Sequence, residues 1–172
     1  MMSVLMDTVV STDYGQFTLV QGGESFDGDA NRFFAGQVNG WVGAGVPGVV
    51  HVVLARRSGG SEVRIERWEE EPPLDDWEDV VEVSTVFRPS SPIGWETWAG
   101  ESAGSLPIPS GSYRVRVSAQ GRDAGTSGEF AEGVVDRYLI QLWLAPRALD
   151  KVLRVSSVDA SYWNEVWGHR RK

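Results

Sequence analysis

Two segments constrain the fold of this chain more than any others. Leu106 to Ala119, LPIPSGSYRVRVSA, opens with a Pro109-Ser110-Gly111 turn and then alternates strictly. Tyr113, Val115 and Val117 fall on one face, and Arg114, Arg116 and Ser118 on the other. Period-two patterning with β-branched and aromatic residues marks a half-buried strand. Asp136 to Pro146, DRYLIQLWLAP, is more apolar. Tyr138, Ile140, Leu142 and Leu144 alternate there with Leu139, Gln141 and Trp143, which predicts a strand covered on both faces. The pair is expected at the centre of an antiparallel sheet.

The rest of the chain repeats this pattern in shorter pieces. Residues 3–10 form a weak first strand. Tyr14 to Gln21 is clearer, with Phe17 and Leu19 facing inward and Gly22-Gly23 ending it. Val49 to Arg57 and Glu62 to Trp68 read as a hairpin across Ser58-Gly59-Gly60-Ser61. Asp79 to Phe87 is another strand, and Gly94 to Trp98 reads as a short edge strand. Gln120 to Val135 is glycine-rich and polar, and is expected to be exposed and mobile. Near the end, Asp159 to Trp167 carries Tyr162, Trp163, Val166 and Trp167 at helical spacing, with Asp159 as its cap. The basic tail after Gly168 is expected to fray. Together these elements predict an all-β fold: an antiparallel β-sandwich of about seven to nine strands with a short C-terminal helix, in one domain spanning 1–172.

Four pieces of the chain resemble a group of uncharacterised bacterial, largely actinobacterial, proteins: YGQFTLVQ, WEDVVEVS, LPIPSGSYRVRV and DRYLIQLWLAP. That resemblance spans most of the chain. More distantly, the first and third are similar to the competence nuclease inhibitor family. That family shares a Tyr-x-Gln-Phe strand near its N-terminus and a Leu-Pro-x-Gly-x-Tyr turn into a strand. These two segments are structural and carry no site chemistry. The resemblance implies an all-β fold and an inhibitor role.

Charge and residue types narrow the function. The chain carries a net charge of −8. It therefore repels nucleic-acid phosphates and associates with basic surfaces. It has no cysteine, which excludes disulfide frameworks, thiol catalysis and thiolate zinc sites. The N-terminal MMSVLMDTVV lacks a basic region and a long apolar run, and no stretch is long enough to span a bilayer, so a cytoplasmic protein without membrane association is expected. Gly43-Ala44-Gly45-Val46-Pro47-Gly48 matches a dinucleotide fingerprint by letter. It is followed by a β-rich run rather than a helix, so it is read as a glycine turn.

Two regions stand out as candidate sites. Trp68 to Asp79, WEEEPPLDDWED, holds seven carboxylates within twelve residues: Glu69, Glu70, Glu71, Asp75, Asp76, Glu78 and Asp79. On a Pro-Pro loop they create a negative field suited to a basic protein partner such as a nuclease. The plain alternative is a solvated acidic connection, and no calcium-loop spacing is present. Trp95 and Trp98, with Trp41 and Trp77, are candidates for stacking on a small molecule or carbohydrate; the alternative is burial. Trp143, Trp163 and Trp167 sit in apolar patterns and are assigned to the core.

Catalysis has little to draw on. His51 lies in a strand and His169 in the tail, with no nucleophile elbow nearby. The carboxylates Asp123, Glu129 and Asp136 flank the central strands, but their spacing in three dimensions is not readable. The leading expectation is therefore a non-enzymatic, cofactor-free protein-binding domain, an inhibitor or immunity-like factor for a basic partner. The alternative is a small-molecule or carbohydrate-binding β module.

Overall fold

The computed structural model describes residues 1–171 and is dominated by strands. Strand β1 runs over Met2–Thr12 and β2 over Gln16–Gln21. A one-turn helix α1 at Ala30–Phe33 precedes β3 (Val42–Gly43), β4 (Val50–Val53) and the long β5 (Gly59–Trp68). Then follow β6 (Asp79–Phe87), β7 (Ile93–Thr97), β8 (Ala103–Leu106) and β9 (Gly111–Gln120). Helix α2 (Arg122–Ser127) leads to β10 (Arg137–Leu144), β11 (Lys151–Arg154) and helix α3 (Val158–Val166). No helix among the described residues is long and apolar enough to cross a membrane.

The strands form two sheets, ordered β1-β5-β10-β9-β6-β11 and β3-β4-β2-β7-β8. The two strands on which the sequence reading rests, β9 and β10, lie side by side at the centre of the larger sheet. They are antiparallel, in a register from Tyr113 opposite Leu144 to Gln120 opposite Arg137. One hydrophobic cluster draws on both sheets, including Phe17, Leu19 and Val52 from one and Ile65, Val83, Val115 and Ile140 from the other. Side chains alternating along each strand supply that core because period two sends every second residue inward.

Several expectations are corrected. The pairing is not wholly antiparallel, since β10 runs parallel to β5 from Arg137 opposite Glu62 to Trp143 opposite Trp68. The strands number eleven among the described residues, beyond the expected seven to nine. Val49 to Trp68 is not a hairpin: β4 pairs with β2 and β3 in the smaller sheet, whereas β5 pairs with β1 and β10 in the larger. The chain crosses between sheets at Arg56. Its guanidinium, buried at 3% exposure, donates to the Gly60 and Gly133 carbonyls at 2.9 and 2.6 Å and pins the crossing. A Cβ on Gly59, whose φ is +121°, would lie 2.6 Å from that guanidinium. The short strands β3, β8 and β11 were not expected, and Leu144, expected to be covered, is exposed. Along the longer strands the alternation marks the inward face, but period two does not say which sheet a strand joins.

The connection from Gln120 to Val135 is not loose throughout. It contains α2, whose Arg122 is completely buried. Helix α3 is capped by Ser157, not Asp159. The Ser157 hydroxyl accepts the Ala160 N–H at 3.0 Å, while Asp159 turns inward. The tail is tied down as far as Arg171, and Lys172 lies outside the described residues. The Arg170 N–H donates to the Gln37 carbonyl at 2.8 Å, and the Arg171 guanidinium meets Asp150.

Candidate functional site

The acidic loop between β5 and β6 is built on a charged layer. The outer face of the larger sheet, expected to alternate into solvent, is covered. Arg114 and Arg116 on β9 are 5% and 3% exposed and flank Glu82 of β6, with Arg116 Nε 3.1 Å from its carboxylate. Arg116 also lies 5.3 Å over the Trp143 ring. Its remaining N–H groups reach outward: Nη1 donates to the carbonyls of Pro72 and Pro73 at 2.8 and 3.2 Å, and Nη2 to Glu71 at 3.0 Å. Prolines contribute no N–H to a ladder, so their segment leaves the sheet, and its carbonyls become acceptors for Arg116. At the far end Arg154 of β11 donates to the Trp77 carbonyl at 2.6 Å.

This anchoring sorts the seven carboxylates. Glu69, Glu70, Glu71, Asp75, Asp76 and Glu78 are exposed. Glu69 pairs with the N-terminal ammonium at 3.2 Å and Asp76 lies 3.7 Å from Arg154. No ion pair holds Glu70, Asp75 or Glu78 among the described residues. Asp79 is a correction. It is completely buried, and its carboxylate accepts the N–H groups of Ser156 and Ser157 at 2.8 and 3.1 Å, just ahead of α3. It joins the loop to the helix and is not available to a partner.

A second feature escaped the sequence reading. A cleft of about 670 Å³ is lined by β2, β4, α2, α3 and the crossing after β1. Its walls include Tyr14, Phe26, Tyr162, Trp163 and Trp167, with Val53 and Leu54. One wall is fixed by a buried ion pair: Arg122 Nε donates to Asp159 at 2.8 Å and Nη1 to the Val53 carbonyl at 2.7 Å. The same guanidinium sits 4.5 Å over the buried Trp41 ring. Thr126 donates to the other Asp159 oxygen at 2.7 Å. Asp123 accepts the N–H groups of Val158 and Asp159, which places carboxylate charge at the positive end of α3.

Beneath the cleft, His51 is 1% exposed. Its Nδ1 lies 2.9 Å from the Thr18 hydroxyl, and its ring stacks on Phe26 at 3.6 Å. Burial pushes the imidazole down to about 3, because the charged form would lose its hydration. It is therefore neutral at physiological pH. Of the three carboxylates flanking the central strands, Asp123 and Glu129 line the cleft. Asp136 does not. It is buried and accepts hydrogen bonds from Ser61 and Tyr138 at 2.7 and 2.8 Å. Burial also raises the Tyr138 phenol, which stays protonated as that donor.

The tryptophans divide differently from expectation. Trp41 is completely buried, which removes it as a stacking candidate. Trp95 is half-buried and stacks on Phe17 at 5.5 Å, with Gly104 against its indole. A side chain at Gly104 would collide with that indole, so glycine is what lets β8 cover it. Trp98 is exposed and lies 4.6 Å from the Tyr14 ring. Trp163 and Trp167, assigned to the core, are only partly buried and form part of the cleft wall. Their helical spacing is the one sequence signal that pointed toward this region.

No protein-family model and no curated protein matches the chain. Two solved structures share its fold. ComJ of Bacillus subtilis, an inhibitor of the DNA-degrading activity of NucA, aligns with a TM-score of 0.59 at 18% identity, over 84% of this chain and 99% of its own. The product of crocagin biosynthetic gene J aligns with a TM-score of 0.55 at 15% identity, over 85% of this chain and 99% of its own.

Proposed function

We propose that this chain is a non-enzymatic, cytoplasmic protein-binding domain whose two sheets stack as a sandwich and whose acidic loop docks on a basic partner, as an inhibitor of a nuclease-like protein would. The observation that carries this reading is the anchoring of the loop. The buried Arg116 holds the Pro72 and Pro73 carbonyls, while Glu70, Asp75 and Glu78 face solvent without ion partners among the described residues. A ridge fixed before encounter loses less conformational freedom on binding than a mobile loop does. Its negative field steers a basic partner and raises the association rate. The shared fold with an inhibitor of a DNA-degrading protein supports the same reading.

The test is a salt series on the partner captured from cells. Replacing Glu69, Glu70, Glu71, Asp75 and Asp76 by Gln or Asn leaves folding intact, because exposed charges contribute little to stability. The association rate falls and its salt dependence flattens, since the screening length shrinks from about 10 Å at 0.1 M to about 3 Å at 1 M salt. An unchanged rate with an unchanged salt slope assigns the binding surface elsewhere.

A further inference from the structure

The aromatic cleft beside α3 is not required by an acidic docking ridge, and its construction points to a ligand of its own. At about 670 Å³ it falls within the range of small-molecule sites, and such sites combine apolar walls with a few placed polar groups. A second hollow of about 300 Å³ shares Gln16 and Phe26 with it and is lined by Asp27, Glu96 and Trp98. The two adjoin at these shared residues and together make a depression with aromatic and acidic linings.

Three independent observations mark this depression as a built site. The first is backbone strain at its lip. Tyr14 has a φ of +59°, a conformation that a bulky non-glycine residue rarely adopts and that gathers at functional sites. Its exposed ring stands against Trp98 and lies 5.3 Å from the Arg57 guanidinium. The Gly15 N–H and carbonyl lock the crossing in place through Arg57 and Leu54, at 2.9 and 2.7 Å. The second is His51, almost wholly buried yet lining the cleft. Its Nδ1 is engaged by Thr18, and Nε2 has no hydrogen-bond partner among the described residues. In the tautomer where Nδ1 donates to Thr18, Nε2 offers a lone pair.

The third is charge. Glu129 and Asp123 line the cleft and Glu96 the adjoining hollow, and none of the three forms an ion pair among the described residues. Arg57 is the cation that lines the cleft; Asp159 is paired with the buried Arg122, and Arg32 is taken up by Asp27 and Glu24. Carboxylates thus outnumber cations around the two hollows, and a concave site with an excess of one sign concentrates the opposite sign.

We infer that this depression binds a small organic cation with a flat apolar body, the body packed against Phe26, Tyr162 and Trp163 and the cationic end in the field of the surrounding carboxylates. The aromatic rings favour this class a second time, because a cation near a ring face is attracted by its quadrupole. The inference stands apart from the acidic ridge, which shares no lining residue with the cleft.

Calorimetric titration with three probes of one shape tests it: 2-phenylethylamine, 2-phenylethanol and 3-phenylpropionate. The amine is expected to bind roughly tenfold more tightly than the carboxylate, with the alcohol between them. In Glu96→Gln/Glu129→Gln the amine should weaken to near the alcohol while the alcohol is unchanged. In Tyr162→Ser all three should weaken together. These three side chains are exposed or half-buried, and unchanged melting temperatures verify that the variants fold. Saturable binding with no preference for the amine overturns the charge assignment. No saturable binding by any probe, or binding indifferent to Tyr162→Ser, overturns the site.

Discussion

Arg122 and Asp159 meet 37 residues apart in sequence, with Nε 2.8 Å from a carboxylate oxygen and neither side chain more than a tenth exposed. Nη2 of Arg122 lies 2.6 Å from the same oxygen but out of line for a hydrogen bond. This pair ties α2 to α3, and Thr126 and the Val53 carbonyl complete its shell. Removing one partner leaves a buried charge without compensation. Arg122→Met should therefore cost about 3–5 kcal/mol in urea unfolding. The double variant Arg122→Met/Asp159→Leu should recover part of that loss, because no charge is then left stranded.

Ile140 is completely buried at the centre of β10. Ile140→Ala should cost about 2–5 kcal/mol, through lost transfer energy and the residual cavity. A loss below about 1 kcal/mol would contradict its central position.

Arg116→Met should free the acidic loop while leaving the sheet beneath it paired. Amide exchange at 74–78 should then accelerate, with protection in β9 and β10 retained. Equal exchange in both proteins would show that Arg116 does not hold the ridge.

His51 sets a pH dependence. Its folded value of about 3 lies below the ordinary 6.5, so at acid pH the unfolded chain binds a proton that the folded chain refuses. Stability from this group is complete above about pH 6.5 and is lost as pH falls toward 3, at up to about 1.4 kcal/mol per unit. His51→Gln should flatten that part of the stability–pH curve. A slope that persists unchanged would assign it to carboxylates. Glu66 is one such group. Burial works to raise it, but hydrogen bonds from Arg64, Trp68 and Gln141 outweigh burial and hold it below its ordinary value, so its contribution too is lost as pH falls.

What the sequence determined is the longer strands and their inward faces, while the short β3, β8 and β11 left no pattern in it. Tyr113, Val115, Ile140 and Leu142 are buried where alternation placed them, because period two is a local property of an extended backbone. The excursion of the acidic loop was equally local, since two adjacent prolines cannot join a ladder. Tertiary structure decided everything that depends on which segments meet. The parallel pairing of β10 with β5 and the assignment of β4 to the opposite sheet follow from crossings fixed by Arg56 and Gly15, not from pattern. Arg114 and Arg116 look like solvent-facing residues in the sequence, yet Glu82 and the Pro72–Pro73 carbonyls bury them. Asp79 left the acidic cluster because the turn before α3 offered it two N–H donors. The aromatic cleft was invisible for the same reason. Its walls come from five separated segments, and no spacing along a chain records a surface that exists only once those segments have packed.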